Sequence, residues 1–420
     1  MARHILPIAA LLLGSAFLLF AGGINALILP VRGAGEGFSA VSLGLIGTGW
    51  AVGYVAGCVL TPALVARVGH IRSFSVMSAV AGLAVLLSLL LITPWAWIPL
   101  RALSGFCFAG AAMIVEGWLS ERSDAQSRGT IFGIYMTINL VATTAGQMAL
   151  TAGNPMGHVF FVLAAMFYML ALIPTAVSSS ASPKPLFQAR LNLRELYRNS
   201  PVAVVAAFFV GISNGSFGTL AAVYATGIGF ELKTVALFAS LPILAGAAAQ
   251  LPIGIVSDRM DRRLVLLITA LVALAADLAF ILSRPEDAGT ALFAVSILGA
   301  AIFTMYPLLL AHANDHASPD QYVLTSGSLL LVFGVGAIFG PLIAGAAMEA
   351  IGHWGLFATT AGAHAAIALY SLWRVSVRSP VPLQEKAGFV VQPPARASTP
   401  QTAEFAPAPT ETGAEPNDGV

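Results

Sequence analysis

The chain has 420 residues, of which 58% are hydrophobic and only 9% charged, and its mean hydropathy is +0.86. A water-soluble domain carries about a quarter charged residues, so that class is excluded and the bilayer is indicated. Twenty Lys and Arg against 19 Asp and Glu leave a net charge of +1, with no basic surplus for nucleic acid. The two cysteines, Cys58 and Cys107, lie in apolar runs and offer neither a disulfide framework nor a metal cage. No cofactor and no metal are expected.

A helix needs about 20 mostly apolar residues to cross a hydrocarbon layer about 30 Å thick. Twelve such runs follow one another along the chain. The first six are residues 5–29, 39–66, 74–92, 97–115, 130–150 and 158–177. The second six are residues 201–227, 234–256, 264–282, 290–311, 323–347 and 354–373. The first run is too long for a signal-peptide core and has no clean A-x-A site, so it is expected to stay as a span.

Lys and Arg fix the orientation. One set of connections holds Arg67 and Arg72, Arg122 and Arg128, Lys184, Arg190, Arg194 and Arg198, then Arg259, Arg262 and Arg263. Arg3, Arg374 and Arg378 fall on the same side, against Arg32, Lys233 and Arg284 on the other. The bias places both termini in the cytoplasm, as an even number of spans also requires. The expected fold is an all-α integral membrane protein of 12 transmembrane helices in two six-helix halves, residues 1–177 and 201–378. A polar, proline-containing linker, 178–200, joins them. Beyond Arg378 the composition turns to Pro, Ala, Thr, Glu and Gly, so 379–420 reads as a disordered cytoplasmic tail.

A charge in hydrocarbon costs at least ~2.5–3.5 kcal/mol on insertion scales, so ionisable groups inside spans are functional candidates. Asn25 in helix one and Asn214 in helix seven follow Gly22-Gly23 and Gly211, where a helix can bend and expose carbonyls. Each reads equally well as a helix–helix bond. Arg101 in helix four sits with Ser104 and Gly105 on one face and is expected to point inward rather than snorkel outward. Glu116, about four turns further along, reads as an ion-paired hinge element with Arg122, Arg128 or the basic loop after helix two as partner. Helix five carries Tyr135, Asn139, Thr143 and Gln147 at four-residue spacing, a polar stripe about 18 Å long that suits a cavity wall. Tyr306, before Pro307 in helix ten, is placed toward the same cavity. Asp277 and His364 read as helix-bonded or surface-directed, and His312, Asn314, Asp315 and His316 as caps rather than metal ligands.

The halves resemble each other at a fixed offset, the mark of transporters built by duplication. Gly37-Phe38 precedes Arg67 at the spacing with which Gly229-Phe230 precedes Arg259. The second copy reads G-x-x-x-D-R-x-x-R-R, from Gly254 through Asp258, Arg259 and Asp261 to Arg262 and Arg263; the first keeps Arg67, Gly69 and Arg72. Opposed charges in so short a turn suit a latch that breaks when two halves rock, with Arg67, Arg72, Glu116 and Arg128 as the matching groups of the first half. Basic residues that merely anchor the cytoplasmic side are the bland alternative.

This signature resembles the cytoplasmic motif of the major facilitator superfamily. Arg101-x-x-x-Gly105 is similar to that superfamily's helix-four motif, and Gly327, Gly336, Gly340 and Pro341 in helix eleven to its glycine-proline motif. Antiporters of the superfamily carry the latter in helix five, where this chain has Gly133 and Gly146 but no Gly-Pro pair. Gly69–Arg72, Glu116–Leu119, Ser257–Arg263 and Ala311–Asp315 together resemble its YcaD-like bacterial branch.

The resemblance implies secondary active transport of a small solute across the bacterial inner membrane by alternating access, with protons as coupling ion and a monomeric protein. No P-loop is present to use ATP, and efflux and uptake are equally open. A non-transporting receptor or scaffold that signals through its cytoplasmic tail is the rival class. An enzyme is not expected, because the spans carry no H-E-x-x-H, Ser/His/Asp or clustered carboxylate set.

Overall fold

A computed structural model describes residues 8–123, 127–177, 186, 192–318 and 321–405. The secondary structure among them is entirely helical. The long helices are α1 (Ala9–Gly35), α2 (Ala40–Val68), α3 (His70–Leu90), α4 (Pro94–Glu121), α5 (Arg128–Ala149) and α6 (Val159–Leu170, continued after a turn by Leu172–Val177). They continue as α7 (Pro201–Gly227), α8 (Leu232–Arg259), α9 (Arg262–Ser283), α10 (Ala288–Asn314), α11 (Tyr322–Ile351) and α12 (Gly355–Val377). A short helix, Leu193–Asn199, precedes α7. Linker residues 178–185 and 187–191, with Lys184 and Arg190, lie outside the described residues, as do Arg3 and residues 406–420.

Among the described residues, eleven helices are long and apolar enough to cross a membrane, one fewer than the sequence reading counts. The difference is α5, an unbroken helix of 22 residues. Thr130, Tyr135, Thr137, Asn139, Thr143, Thr144 and Gln147 dilute its hydropathy. Its length is not in deficit: at 1.5 Å per residue it reaches about 33 Å.

Packing repeats with a period of six helices. In the first set α1 packs on α5 and α6, α2 on α4, and α3 on α4 and α6. In the second α7 packs on α11 and α12, α8 on α10, and α9 on α10 and α12. The turn after the first helix of each set repeats too. Gly37 (φ +77°) and Gly229 (φ +87°) occupy backbone conformations closed to most L side chains. Phe38 N–H donates to Gly33 O at 2.9 Å and Phe230 N–H to Ala225 O at 3.1 Å, so two orphan helix-end carbonyls are satisfied in the same way. The paired Gly-Phe steps are therefore two copies of one helix stop. Replacing Gly229 by Ala is expected to cost roughly 1–2 kcal/mol of stability, read as a lower thermal midpoint in detergent.

Gly23 and Gly211 do not interrupt their helices. α1 and α7 run unbroken through them, and each glycine instead lets a neighbour's backbone approach. A Cβ at Gly23 would stand 2.2 Å from Thr143 O, and one at Gly211 would stand 2.1 Å from Phe333 O. These are the equivalent α1–α5 and α7–α11 crossings. Small residues at such crossings bring out the dispersion contacts that drive helix association in lipid.

The two sets meet unequally. The α2–α11 contact is extensive, while the equivalent α5–α8 contact is slight. Its closest part lies toward the end opposite the α2–α3 and α8–α9 turns. There a Cβ at Gly44 would stand 2.3 Å from Pro341 O, and Val41 N–H donates to Glu349 Oε1 at 3.2 Å. That end is closed. The opposite end, which bears the arginine-rich turns, is the basic end.

Candidate functional site

A cavity of about 190 Å³ lies between α1, α2, α4, α5 and α6 on one side and α7, α8 and α10 on the other. Its polar groups are unevenly distributed. Asn25, Arg101, Ser104, Asn139, Thr143, Gln147 and Tyr168 all come from the first six helices. The second six supply mainly Phe217, Gly218, Ala222, Ile243 and Phe303. Trp50 and Phe108 complete an aromatic wall.

Arg101 is 8% exposed and lines this cavity, one turn before Ser104, whose hydroxyl donates back to Leu100 O at 2.9 Å. Gly105 explains why the arginine faces inward. A Cβ there would stand 2.1 Å from Trp50 O, so this face of α4 is pressed against α2. Among the described residues, the Arg101 Nε finds no hydrogen-bond partner and no Asp or Glu lines the cavity. An unmatched buried cation is expensive, so its retention points to a ligand rather than to packing.

The α5 stripe divides. Asn139, Thr143 and Gln147 line the cavity, but the Tyr135 hydroxyl donates to Glu116 Oε1 at 3.1 Å. Asn214 and Tyr306 are buried outside the cavity lining, Tyr306 with its ring 5.4 Å from that of Phe333. Glu116 is fully buried, and its described hydrogen-bond partners are hydroxyls, not the expected Arg122 or Arg128. Arg122 is exposed and Arg128 half-buried, near the start of α5. Position along the helix pointed Glu116 toward the basic loops, but its side chain turns into the bundle.

At the basic end the charges are sorted within the second set. Arg262 bonds Asp258 Oδ1 at 3.0 Å, Asp315 Oδ2 at 2.7 Å and Ser257 Oγ at 2.9 Å. Arg263 is chelated by Asp261 at 2.7 and 3.0 Å and donates to the carbonyls of Arg374 and Arg378. Burial alone would raise the Asp261 carboxyl, but the Arg263 bonds outweigh it and hold it below its ordinary range. Arg67, Arg72 and Arg259 are exposed and make no ion pair among the described residues. The described ion pairs around Asp258 and Asp261 close on their own half.

What spans the halves is the C-terminal segment. Composition reads 379–420 as disordered, yet residues 379–405 have a defined path. Lys386 Nζ donates to Ser257 O at 3.0 Å, Ala387 N–H to Asp315 Oδ1 at 2.9 Å, and Phe389 N–H to Asp258 Oδ1 at 3.1 Å. The Phe389 ring occupies the space left by Gly254, where a Cβ would stand 2.4 Å from it. Gln392 and Gln250 exchange two amide bonds of 2.8 and 2.9 Å. The chain then crosses to the first set. Arg396 lies over Trp50 at 4.7 Å, the Tyr54 hydroxyl donates to Ser398 O, and Thr399 and Thr402 donate to Glu116 at 2.6 and 2.7 Å. The motif acids thus bind backbone N–H groups of this segment, which stands between the halves at the basic end.

Asp277 is satisfied by neighbouring helices. It accepts from Thr360 at 2.8 Å and meets His364 Nδ1 at 2.6 Å, while His364 Nε2 contacts Ser213 Oγ at 2.8 Å. The helices thus assemble a Ser/His/Asp chain that no sequence spacing shows. All three residues are buried and stand outside the described cavity lining. His316 Nδ1 faces His312 O at 2.9 Å, and no cluster of metal-ligand type occurs among the described residues.

A bundle of long apolar helices, packed twice in the same pattern around a central cavity, defines a multi-pass membrane transporter of duplicated architecture. The profile of the Major Facilitator Superfamily matches residues 11–327 and 203–409, and the chain belongs to that family. It is 28% identical over 338 residues to the uncharacterized MFS-type transporter YcaD of Escherichia fergusonii, covering 80% of this chain and 87% of that one. It is 26% identical over 360 residues to the protein of the same name in Salmonella typhimurium, covering 83% and 91%. Its fold matches the nucleoside transporter NupG (TM-score 0.72, 14% identity, 89% of this chain and 100% of that one). It also matches a bacterial homologue of the human lysosomal transporter Spinster in an inward-facing, occupied state (TM-score 0.69, 13% identity, 90% and 97%). These families are transporters, not enzymes.

Proposed function

We propose that the chain is a secondary active transporter that carries a small solute across the bacterial inner membrane by alternating access. Two six-helix halves, 1–177 and 201–378, rock about the central cavity, joined by the 178–200 linker, with both termini in the cytoplasm. On this reading the basic end is cytoplasmic, and the structure is the inward-facing state. Closure by α2 and α11 at the opposite end, and the C-terminal segment standing between the halves at the basic end, support that assignment. The single observation that carries the function is Arg101, an unmatched cation in a cavity between the halves. An ion gradient, of protons in the superfamily's common mode, supplies the energy. The receptor reading loses ground because the tail it relies on is engaged inside the bundle.

The test uses inside-out vesicles containing the protein, supplied with cell metabolite extract and profiled by mass spectrometry with and without a proton gradient. A compound accumulating with wild type, and at least tenfold less with Arg101→Ala, is expected. Accumulation that ignores the gradient would remove proton coupling. No accumulation or exchange by folded protein would remove the transporter.

A further inference from the structure

We propose that the C-terminal segment completes the cavity's binding site, Arg396 and Arg101 together forming a two-guanidinium site for a small organic anion. The inference deepens the transporter reading and rests on it for the meaning of the cavity. Both arginines line the same space, one from the first third of α4 and the other from a segment nearly 300 positions later. Neither has a carboxylate there among the described residues, whose lining contains no acidic side chain.

Arg396 is placed rather than loose. Its guanidinium lies over the Trp50 ring at 4.7 Å, and Trp50 stacks on Tyr54, whose hydroxyl holds the Ser398 carbonyl two residues on. Gly218 of α7 leaves the space that its Nη1 occupies. The anchors on either side, the Gln392–Gln250 amide pair and the Thr399–Glu116 bond, fix the segment's depth. Arg101 is the opposite case, a buried guanidinium with its Nε unsatisfied. Two cations in one low-dielectric space repel, and a shared anion turns that repulsion into two sets of charge-assisted bonds.

The walls set the rest of the ligand. Trp50, Phe108, Phe217 and Phe303 suit an apolar or aromatic body, and about 190 Å³ limits it to a small one. The amides of Asn25 and Gln147 are each left with an unpartnered oxygen, available to a donor on the same molecule. The class is an organic anion with a carboxylate or phosphate head and a compact apolar body.

The test is thermal unfolding of the full-length protein in nanodiscs with benzoate or phenyl phosphate, and with benzyl alcohol as neutral control. At least one anion is expected to raise the midpoint in a saturable manner, with no effect of the alcohol. Arg396→Gln and Arg101→Gln should each require at least tenfold more anion for the same rise, and Arg101→Lys should respond in between. Arg396→Gln alters no membrane helix, so its response remains readable if Arg101→Gln folds poorly. No response to either anion, an equal response to the alcohol, or an Arg396→Gln protein that responds like wild type would each overturn the proposal. The readout needs no flux: saturable anion binding by a protein that transports nothing would sink the transporter reading and leave the site standing.

Discussion

Asp277→Ala is expected to cost about 3–5 kcal/mol of stability, the usual result of removing one partner from a buried pair. The carboxylate ties three helices. It takes Thr360 at 2.8 Å and His364 at 2.6 Å on α12, and through His364 it reaches Ser213 on α7 at 2.8 Å. Alanine leaves His364 Nδ1 and the Thr360 hydroxyl facing each other across apolar packing, where water cannot replace the lost bonds. Asp277→Asn keeps the shape and some of the bonds, so its loss should be smaller. Asp277→Ala with His364→Ala should lose less than the sum of the single changes, because the two residues share one interaction. Thermal midpoints in one detergent give all four values. A wild-type midpoint for Asp277→Ala would show that this chain of bonds carries no stability.

Ending the chain after Arg378 is expected to raise the maximal transport rate several-fold and to weaken apparent affinity at the same time. The segment from Lys386 to Thr402 binds the second half through Asp258, Asp315 and Gln250, and the first half through Tyr54 and Glu116. Rocking that brings the halves together at the basic end must first expel it, so its bonds add to the barrier of every cycle. Removal takes that barrier away, and takes Arg396 from the cavity with it. Rate and affinity therefore move in opposite functional senses. Arg396→Gln separates the two effects, since it should weaken affinity while leaving the plug seated. Initial rates in proteoliposomes across substrate concentration decide this. Unchanged kinetics would mean that the segment leaves the cavity before transport begins.

The fold was largely legible because its determinants are local or periodic. Apolar runs of about 20 residues announce spans, and the Gly37-Phe38 and Gly229-Phe230 stops repeat one turn geometry in both halves. Arg101 was legible because a lone charge in an apolar run stands out on energy alone. The α5 stripe was legible only in part. Four-residue spacing finds a face, but it does not show that Tyr135 lies beyond the cavity and meets Glu116.

Other features depend on which helices become neighbours. Asp277, Thr360, His364 and Ser213 are scattered over some 150 positions, and no spacing rule joins them. Asn214 and Tyr306 looked like cavity residues, but α7 and α10 present apolar faces there. Composition averages over the length of the C-terminal segment and hides its local pattern. Phe389, Val390 and Val391, then Gln392 and two prolines, form a short apolar and extended stretch inside a polar tail. Of its partners, Gly254 and Asp258 stand out in the sequence only as part of a cytoplasmic motif, and Gln250 carries no signal of its own.

The most direct test of alternating access places a cysteine at Asn139, a cavity position on α5, in a protein whose own Cys58 and Cys107 are buried. Membrane-impermeant maleimide is applied to right-side-out and inside-out vesicles in turn, and the labelled fraction is followed with time. If the halves rock about the cavity, Asn139→Cys reacts from both faces, because the end closed by α2 and α11 opens during the cycle. Labelling from one face only, at every substrate and gradient condition, would contradict the account.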